Sequence, residues 1–226
     1  MPDLTNKTAL VTGASRGIGR ATARALAAAG AHVIVHFGNA KAEAESIAAE
    51  IRAGGGKADI AGADLASTDG PAKLAAQVRN IAGEKLDILV ANAGISGAAP
   101  IAEQTIDKFD QLFAVNVRAP YFLIQELLPL FHQGASAILL SSLGARAHVR
   151  NLSAYTSTKG AIDTLVKQFA AELGPRGIRV NAAAPGVIET DMSSFAKTDA
   201  ETVSMTLVEA REINPPANEE PLRWRC

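Results

Sequence analysis

The chain has 226 residues, 48% of them hydrophobic and only 4% aromatic, and a formal charge of −1. That length and aliphatic content suit one α/β domain, and the near-neutral charge gives no electrostatic footprint for nucleic acid or a membrane surface. The one cysteine, Cys226, excludes an intramolecular disulfide and a zinc cluster of cysteines, and the histidines at 32, 36, 132 and 148 lack the tight helical spacing of a metal pair, so no metal site is expected.

In chain order, short β-branched or aliphatic runs alternate with alanine-rich amphipathic stretches. The start, MPDLTNKTAL, has neither the basic front nor the apolar stretch of a signal peptide, and no apolar run reaches eighteen residues, so a soluble, cytoplasmic protein is expected. TALVTG predicts a strand, followed by a helix from about Gly17 to Ala29. HVIVHF predicts a second strand, and AKAEAESIAAEIRAGG a helix that stops at the triple glycine Gly54 to Gly56. ADIAGADL is a third strand, before a helix that Asp69 could cap and Pro71 could begin. LDILVANAG, ASAILLSS and IRVNAAAPG supply three more strands. Between them lie the helices TIDKFDQLFAVNVRAPYFLIQELLPLF and SAYTSTKGAIDTLVKQFAAELG. Parallel neighbours need long crossovers, so this alternation predicts an α/β fold, a doubly wound parallel sheet with helices on both faces. Ligands of such sheets sit at the carboxyl ends of the strands. Beyond about Lys197 the pattern breaks down: one helix from Ala200 to Ile213, then NPPANEEP, a basic end with Trp224, and no seventh strand.

The first strand runs into TGASRGIGRA, Thr12 to Ala21. A glycine-rich turn that opens a helix lets backbone N–H groups approach a phosphate, and the helix N-terminus adds about half a positive charge. Gly13, Gly17 and Gly19 are the expected close-approach positions, with Ser15, Arg16 and Ile18 in the same loop. The spacing G-x-x-x-G-x-G differs from the G-x-G-x-x-G fingerprint, so the expectation rests on mechanism, and a tight turn with glycines used only for packing stays open beside it. At the end of the second strand, VHFGNAKAE has no Asp or Glu between His32 and Ala42. An NAD site usually carries an acid there for the ribose 2′-hydroxyl, whereas an NADP site brings an arginine. Arg16 and Lys41 could meet a 2′-phosphate, so NADP(H) is the preferred cofactor, with NAD(H) also open; as plain surface charges, they would be a solvated loop arginine and a helix-start lysine. Asp64 could accept from an adenine amino group with Leu65 beside it, or serve as a cap or loop aspartate. Asn92, Ala93 and Gly94 offer a compact turn against which an adenosine ribose could lie.

SAYTSTKGAID places Tyr155 and Lys159 on one helix face, about 6 Å apart along the axis. A phenol has a pKa of about 10, so acid–base work near neutrality needs about 4 kcal/mol favouring phenolate. An ammonium about 4 Å away supplies on the order of 4 kcal/mol at an effective dielectric of about 20, and an oxidised nicotinamide would add to it. Lys159 is therefore expected to lower the pKa of Tyr155. Hydride would leave the nicotinamide for a carbonyl carbon while Tyr155 gives the oxygen its proton, or the reverse would oxidise an alcohol. An exposed i, i+4 pair is the other reading.

Thr12-Gly13-x-x-x-Gly17-Ile18-Gly19, Asn92-Ala93-Gly94, Ser142, Tyr155-x-x-x-Lys159 and Pro185-Gly186 stand in order and spacing. From roughly residue 5 to 195 the chain resembles the short-chain dehydrogenase/reductase family, with its nearest look to reductases like 3-oxoacyl-(acyl carrier protein) reductase. The resemblance implies a Rossmann-like fold and a small-molecule carbonyl or alcohol as substrate. It implies that Ser142 hydrogen-bonds the substrate carbonyl, that Asn116 holds a water on a proton relay to Lys159, and that Lys159 contacts the nicotinamide ribose. Ile188 and Thr190 match positions near the nicotinamide carboxamide and phosphates. Without it, Asn116 reads as a helix polar residue and Ser142 as a strand-end hydroxyl.

The resemblance also implies a substrate-covering helix, a further helix and a seventh strand, in place of which SSFAKTDA leads into unrelated residues. The expected organisation is a dinucleotide-binding and catalytic domain over 1–197, with six strands and the usual seventh missing, and an atypical tail over 198–226. The family's usual tetramer is weakened by that loss, leaving a homo-oligomer possible and an unpaired edge as a liability. A non-catalytic nucleotide-binding or self-associating protein on the same scaffold is the second function class. Residues 95–101, 143–152 and 187–200 should surround the substrate, where Arg146, His148 or Arg150 could meet an anionic group or stand as solvated charges.

Overall fold

A computed structural model describes residues 3–188 and 190–192. Six strands form one parallel sheet: β1 (Thr8–Val11), β2 (His32–Phe37), β3 (Lys57–Gly62), β4 (Ile88–Ala91), β5 (Ser136–Leu140) and β6 (Arg179–Ala183). Their order across the sheet is β3-β2-β1-β4-β5-β6. The crossovers are α1 (Gly17–Ala28), α2 (Lys41–Ala53), α3 (Gly70–Ala82), the pair α4 (Ile106–Phe113) and α5 (Ala119–Leu127), and α6 (Ser153–Leu173). Chain order reverses direction between β1 and β4, so the loops after these two strands diverge and leave a crevice at the carboxyl edge.

Alternation along each strand supplies both faces. Leu10, Ile34, Leu89, Leu139 and Val180 pack with Leu74 and Val78 of α3, Leu123 and Leu127 of α5, and Ile162 and Val166 of α6. Ala9, Val11, Val33, Val35 and Val90 pack on the opposite face with Ala23 of α1 and Ile47 and Ile51 of α2. Each fully buried Leu or Ile in this double core stabilises the fold by roughly 1.5–3 kcal/mol. At the sheet edge, the Gln77 amide of α3 donates to the Gly62 carbonyl at 2.8 Å and accepts the Gly62 N–H at 3.0 Å, which covers main chain of β3 that has no strand neighbour. At the amino edge, the Asp87 carboxylate takes the Lys7 ammonium at 2.8 Å, the Thr8 N–H at 2.9 Å and His132 at 3.2 Å, tying the starts of β1 and β4.

Two local expectations are corrected. Thr105 to Phe131 is not one helix: α4 gives way to a π-helical turn over Ala114–Arg118 before α5. Pro120 has no N–H for the Asn116 carbonyl four residues back, and the widened turn falls where the α ladder loses that bond. Asp69 precedes α3 without capping it, because its carboxylate is taken by the Ser67 hydroxyl at 3.0 Å and by Lys73 at 2.7 Å. The expected tail over 198–226, with the 197/198 boundary, lies outside the described residues. Among the described residues no helix is long and apolar enough to cross a membrane, and no cluster of three metal-ligating side chains occurs.

His36, 2% exposed, closes the carboxyl end of β2. Its Nδ1 accepts the Gly13 N–H at 3.0 Å, so Nε2 carries the proton and donates to the Ala63 carbonyl, also at 3.0 Å. Burial pushes its pKa down to about 4, against the opposing pull of the Ala63 carbonyl. An unfolded histidine binds its proton near 6.5, so between pH 6.5 and 4 the unfolded chain carries more protons, and stability contributed by the neutral imidazole above 6.5 is lost as pH falls through that window. Over the whole window the loss amounts to about 3 kcal/mol. Urea unfolding from pH 7 to pH 4 should therefore show a steeper fall in stability for the wild type than for His36→Gln; parallel curves would refute the assignment.

Candidate functional site

The turn between β1 and α1 is shaped by exclusion. Gly13 has φ +61°, and a Cβ there would come within 2.9 Å of the Ala93 Cα. A Cβ on Gly19 would strike the Gly13 carbonyl oxygen and lie 2.5 Å from the Asn92 amide nitrogen. That Asn92 amide donates to the Thr12 carbonyl at 2.8 Å and the Gly13 carbonyl at 3.2 Å, and Ala93 N–H donates to the Thr12 hydroxyl at 2.9 Å. Asn92 and Ala93 thus brace the glycine turn. Gly94 borders the other half of the site, since a Cβ on it would lie 3.2 Å from Asn116 Oδ1 and 3.7 Å from Lys159 Nζ. Helix α1 opens with no side-chain cap and no acidic residue in its first turn. Exposed Gly17 and half-buried Ile18 therefore begin a helix whose N-terminal dipole suits an anion, and a phosphate fits this cradle. Ser15 is buried, while Arg16 is exposed and faces Asp191 at 3.8 Å. Thr190 sits on the same turn, its methyl 3.4 Å from where a Gly17 Cβ would be.

Beside this turn an open depression of about 530 Å³ lies at the ends of β2 and β3, lined by Phe37, Gly38, Lys41, Ile60, Asp64 and Gln77. Lys41 contributes the basic group on its rim, paired with Glu45 at 3.6 Å. The Asp64 residue is exposed, and its Oδ1 accepts the Ala66 N–H at 2.9 Å, as a loop aspartate does. Leu65, next to it, is 7% exposed with its side chain packed in the core, so beside a ligand it has only main-chain atoms to offer.

Tyr155 and Lys159 do not line that depression; they stand at the ends of β4 and β5, where α6 begins. Ser142, extended at φ −161°, caps a short 3₁₀ turn (Leu143–Ala145) by accepting the Gly144 N–H at 3.1 Å. Its hydroxyl neighbours the Tyr155 phenol and pulls the phenol's pKa down. The Leu143 N–H donates to the Pro185 carbonyl at 3.0 Å, which draws the Pro185–Gly186 segment toward the serine, and Ile188 follows as a partly exposed residue. Lys159 is 5% exposed; its Nζ donates to the Leu140 carbonyl at 2.7 Å and lies 5.7 Å from the Tyr155 ring centroid.

The expected electrostatics of this pair are overturned. Burial raises the Tyr155 pKa above its ordinary value, with the Ser142 hydroxyl opposing, and burial lowers Lys159 from 10.5 to about 8. The lysine's nearest hydrogen bond is to main chain and its nitrogen lies over the ring, so desolvation of both groups outweighs their attraction. In this chain alone the phenol is a protonated acid and the lysine titrates near pH 8.

Asn116 sits in the π-helical turn, 2% exposed. Its Oδ1 accepts the Ile95 N–H at 2.9 Å, and its Nδ2 donates to the Ile95 carbonyl at 2.9 Å and to the Thr158 hydroxyl at 3.1 Å. Thr158 in turn donates to the Tyr155 carbonyl at 2.6 Å. Both amide donors are engaged, so the side chain first clamps the loop after β4 to α6. Arg146 does not stand ready for an anionic ligand, since its Nε pairs with Asp163 at 3.2 Å; His148 and Arg150 are exposed. Sequence reasoning missed Thr158 and His36. The signal available for Thr158 was a hydroxyl on the apolar stripe between Tyr155 and Ile162; for His36 it was an ionisable residue inside a run of Val and Ile.

Comparison with known proteins agrees with this arrangement. The family model described as short chain dehydrogenase matches residues 7–201. Versicolorin reductase stcU of Emericella nidulans is 42% identical over 190 residues, spanning 84% of this chain and 72% of that protein. Among solved structures, the angucycline C-6 ketoreductase LanV with bound NADP superposes with a TM-score of 0.84 at 36% identity, covering 89% of this chain and 80% of that one. A blue fluorescent protein from a metagenomic library, in complex with NADPH, gives 0.84 at 35% identity, covering 89% and 83%. With a six-stranded Rossmann-like parallel sheet, a glycine turn that admits no side chain, and a family match over most of its length, the chain belongs to the short chain dehydrogenase family.

Proposed function

We propose that the protein is an NADPH-dependent carbonyl reductase in which Tyr155 is the proton donor. The observation that carries this reading is the half-buried Tyr155, whose phenol is kept protonated by desolvation beside Ser142, at the same edge of the sheet as the glycine turn. The cofactor supplies hydride when bound. The chain's own residues do the rest. The α1 N-terminus with Gly17 and Ile18 would hold the pyrophosphate, and Arg16 and Lys41 would meet the 2′-phosphate. Ser142 orients the carbonyl oxygen, and Tyr155 gives it a proton as the alkoxide forms. Lys159 then compensates the developing phenolate with its ammonium, a favourable interaction that appears only as charge develops. Asn116, through Ile95 and Thr158, holds the wall and the helix on which both groups stand. Reductases among the relatives, and NADP or NADPH in the two structural neighbours, support the direction and the cofactor. The same reading assigns catalysis to the domain ending near residue 197.

Arg16 faces Asp191 across a solvent-exposed gap, and no acidic residue follows β2 before Glu43. A 2′-phosphate therefore gains a cation without meeting a carboxylate at the strand end. Calorimetric titration should give a Kd for NADPH at least tenfold below that for NADH, and Arg16→Ala should shrink the difference severalfold; equal affinities would sink the selectivity argument.

Tyr155→Phe should lower kcat for carbonyl reduction by at least about 10²-fold, the scale of losing a positioned acid, while NADPH affinity stays within about threefold. Full turnover by that variant would remove Tyr155 from the mechanism. The Lys159 charge of the free protein is present below about pH 8 and lost above it, so kcat/KM should decline toward roughly tenfold per pH unit on the alkaline side. A profile that stays flat from pH 7 to 9.5 would show that the ammonium does not act.

A further inference from the structure

We propose that His36 is a positioning residue for the cofactor loop, its imidazole fixing the glycine turn against the end of β3. The inference rests on the NADP(H) reading above and adds a residue that cannot touch the ligand, because its side chain is 2% exposed. Three segments meet on it. Gly13 N–H donates to Nδ1, Nε2 donates to the Ala63 carbonyl just before Asp64, and the His36 carbonyl accepts the Ala14 N–H at 2.9 Å. The opposite side of the Gly13 residue is held by the Asn92 amide on its carbonyl. Gly13 is therefore clamped at both N–H and C=O in a left-handed conformation, and its N–H is spent inside the protein. Phosphate contact falls to the amides that open α1, whose placement depends on how rigidly the turn before them is held.

The geometry asks for one side chain with an acceptor and a donor at opposite ends. A neutral imidazole meets this, and burial keeps it neutral. Glutamine carries the same acceptor and donor on a longer, flexible stem. Leucine fills comparable space with neither, and asparagine has both groups with a reach too short to span Gly13 and Ala63.

The test is fluorescence titration of NADPH into the full-length wild type, His36→Gln and His36→Leu, with urea midpoints measured in parallel. The expected result is a Kd at least tenfold higher for His36→Leu and within about threefold of wild type for His36→Gln. Unchanged affinity in His36→Leu, or equal loss in both variants, would overturn the proposal. Should His36→Leu fail to fold, His36→Asn takes its place. Weak binding by His36→Asn beside near-normal binding by His36→Gln supports the proposal, and wild-type affinity in His36→Asn overturns it. A wild-type chain that binds neither NADPH nor NADH would instead bring down the cofactor reading and this inference with it, an outcome distinct from an unaffected variant.

Discussion

The rest of the site depends on the impossibility of a side chain at Gly19. The Gly13 carbonyl and the Asn92 amide occupy the space a Cβ would take, so the first turn of α1 lies directly against the end of β1. That close approach lets one asparagine at the end of β4 hold two carbonyls of the turn, and lets the Thr12 hydroxyl hold the first amide after Asn92. The two strands at the reversal point of the sheet are thus joined by three hydrogen bonds between the residues that follow them. The crevice typical of doubly wound sheets is here rimmed by groups already paired with one another. On this side of the crevice, the polar surface it offers a ligand is the start of α1, which has no side-chain cap.

On the other side of the crevice the organising element is a defect in a helix. Replacing one continuous helix by α4, a π-helical turn and α5 brings Asn116 to the interior, where its amide bridges the main chain at Ile95 and the Thr158 hydroxyl. Thr158 lies three residues after Tyr155 and one before Lys159, and it donates to the Tyr155 carbonyl. A distortion between α4 and α5 is therefore coupled to the register of α6, and through it to the phenol and the ammonium. The coupling runs through hydrogen bonds among buried groups, which tolerate small displacements poorly because each unmet donor costs roughly 1–3 kcal/mol.

The architecture was legible because its signals are periodic. Val and Ile runs separated by amphipathic stretches of ten or more residues specify parallel strands and crossovers, and the glycine turn and Tyr155-x-x-x-Lys159 stand out against an alanine background. The misses share a different cause: they depend on long-range partners. The π-helical turn follows from Pro120 and from the fit of Asn116 to Ile95, of which only the proline is a local mark. Asp69 reads as a cap until Ser67 and Lys73 claim it. His36 reads as an exception inside an apolar run, and only the folded placement of Gly13 and Ala63 explains it. Charge estimates failed for a related reason. The distance between Tyr155 and Lys159 along a helix was readable, whereas the direction of the ammonium toward the Leu140 carbonyl was set by β5.

On the proposed mechanism, that direction changes what the lysine is for. A lysine whose pKa falls from 10.5 to about 8 carries a penalty of about 3 kcal/mol for keeping its charge while buried. Its hydrogen-bond partner is a main-chain carbonyl at 2.7 Å, which carries no full charge. Such a group gains most when a negative charge develops near it, and the phenol above which it lies is held neutral until its proton leaves. The same desolvation that raises the Tyr155 pKa in the resting state therefore strengthens the pull of Lys159 on the phenolate as it forms, because their interaction grows in a low-dielectric site. With Tyr155 as the proposed proton donor, burial, read first as working against the pair, would make their attraction selective for the charge-separated state, which is the condition for lowering a barrier and leaving the ground state alone.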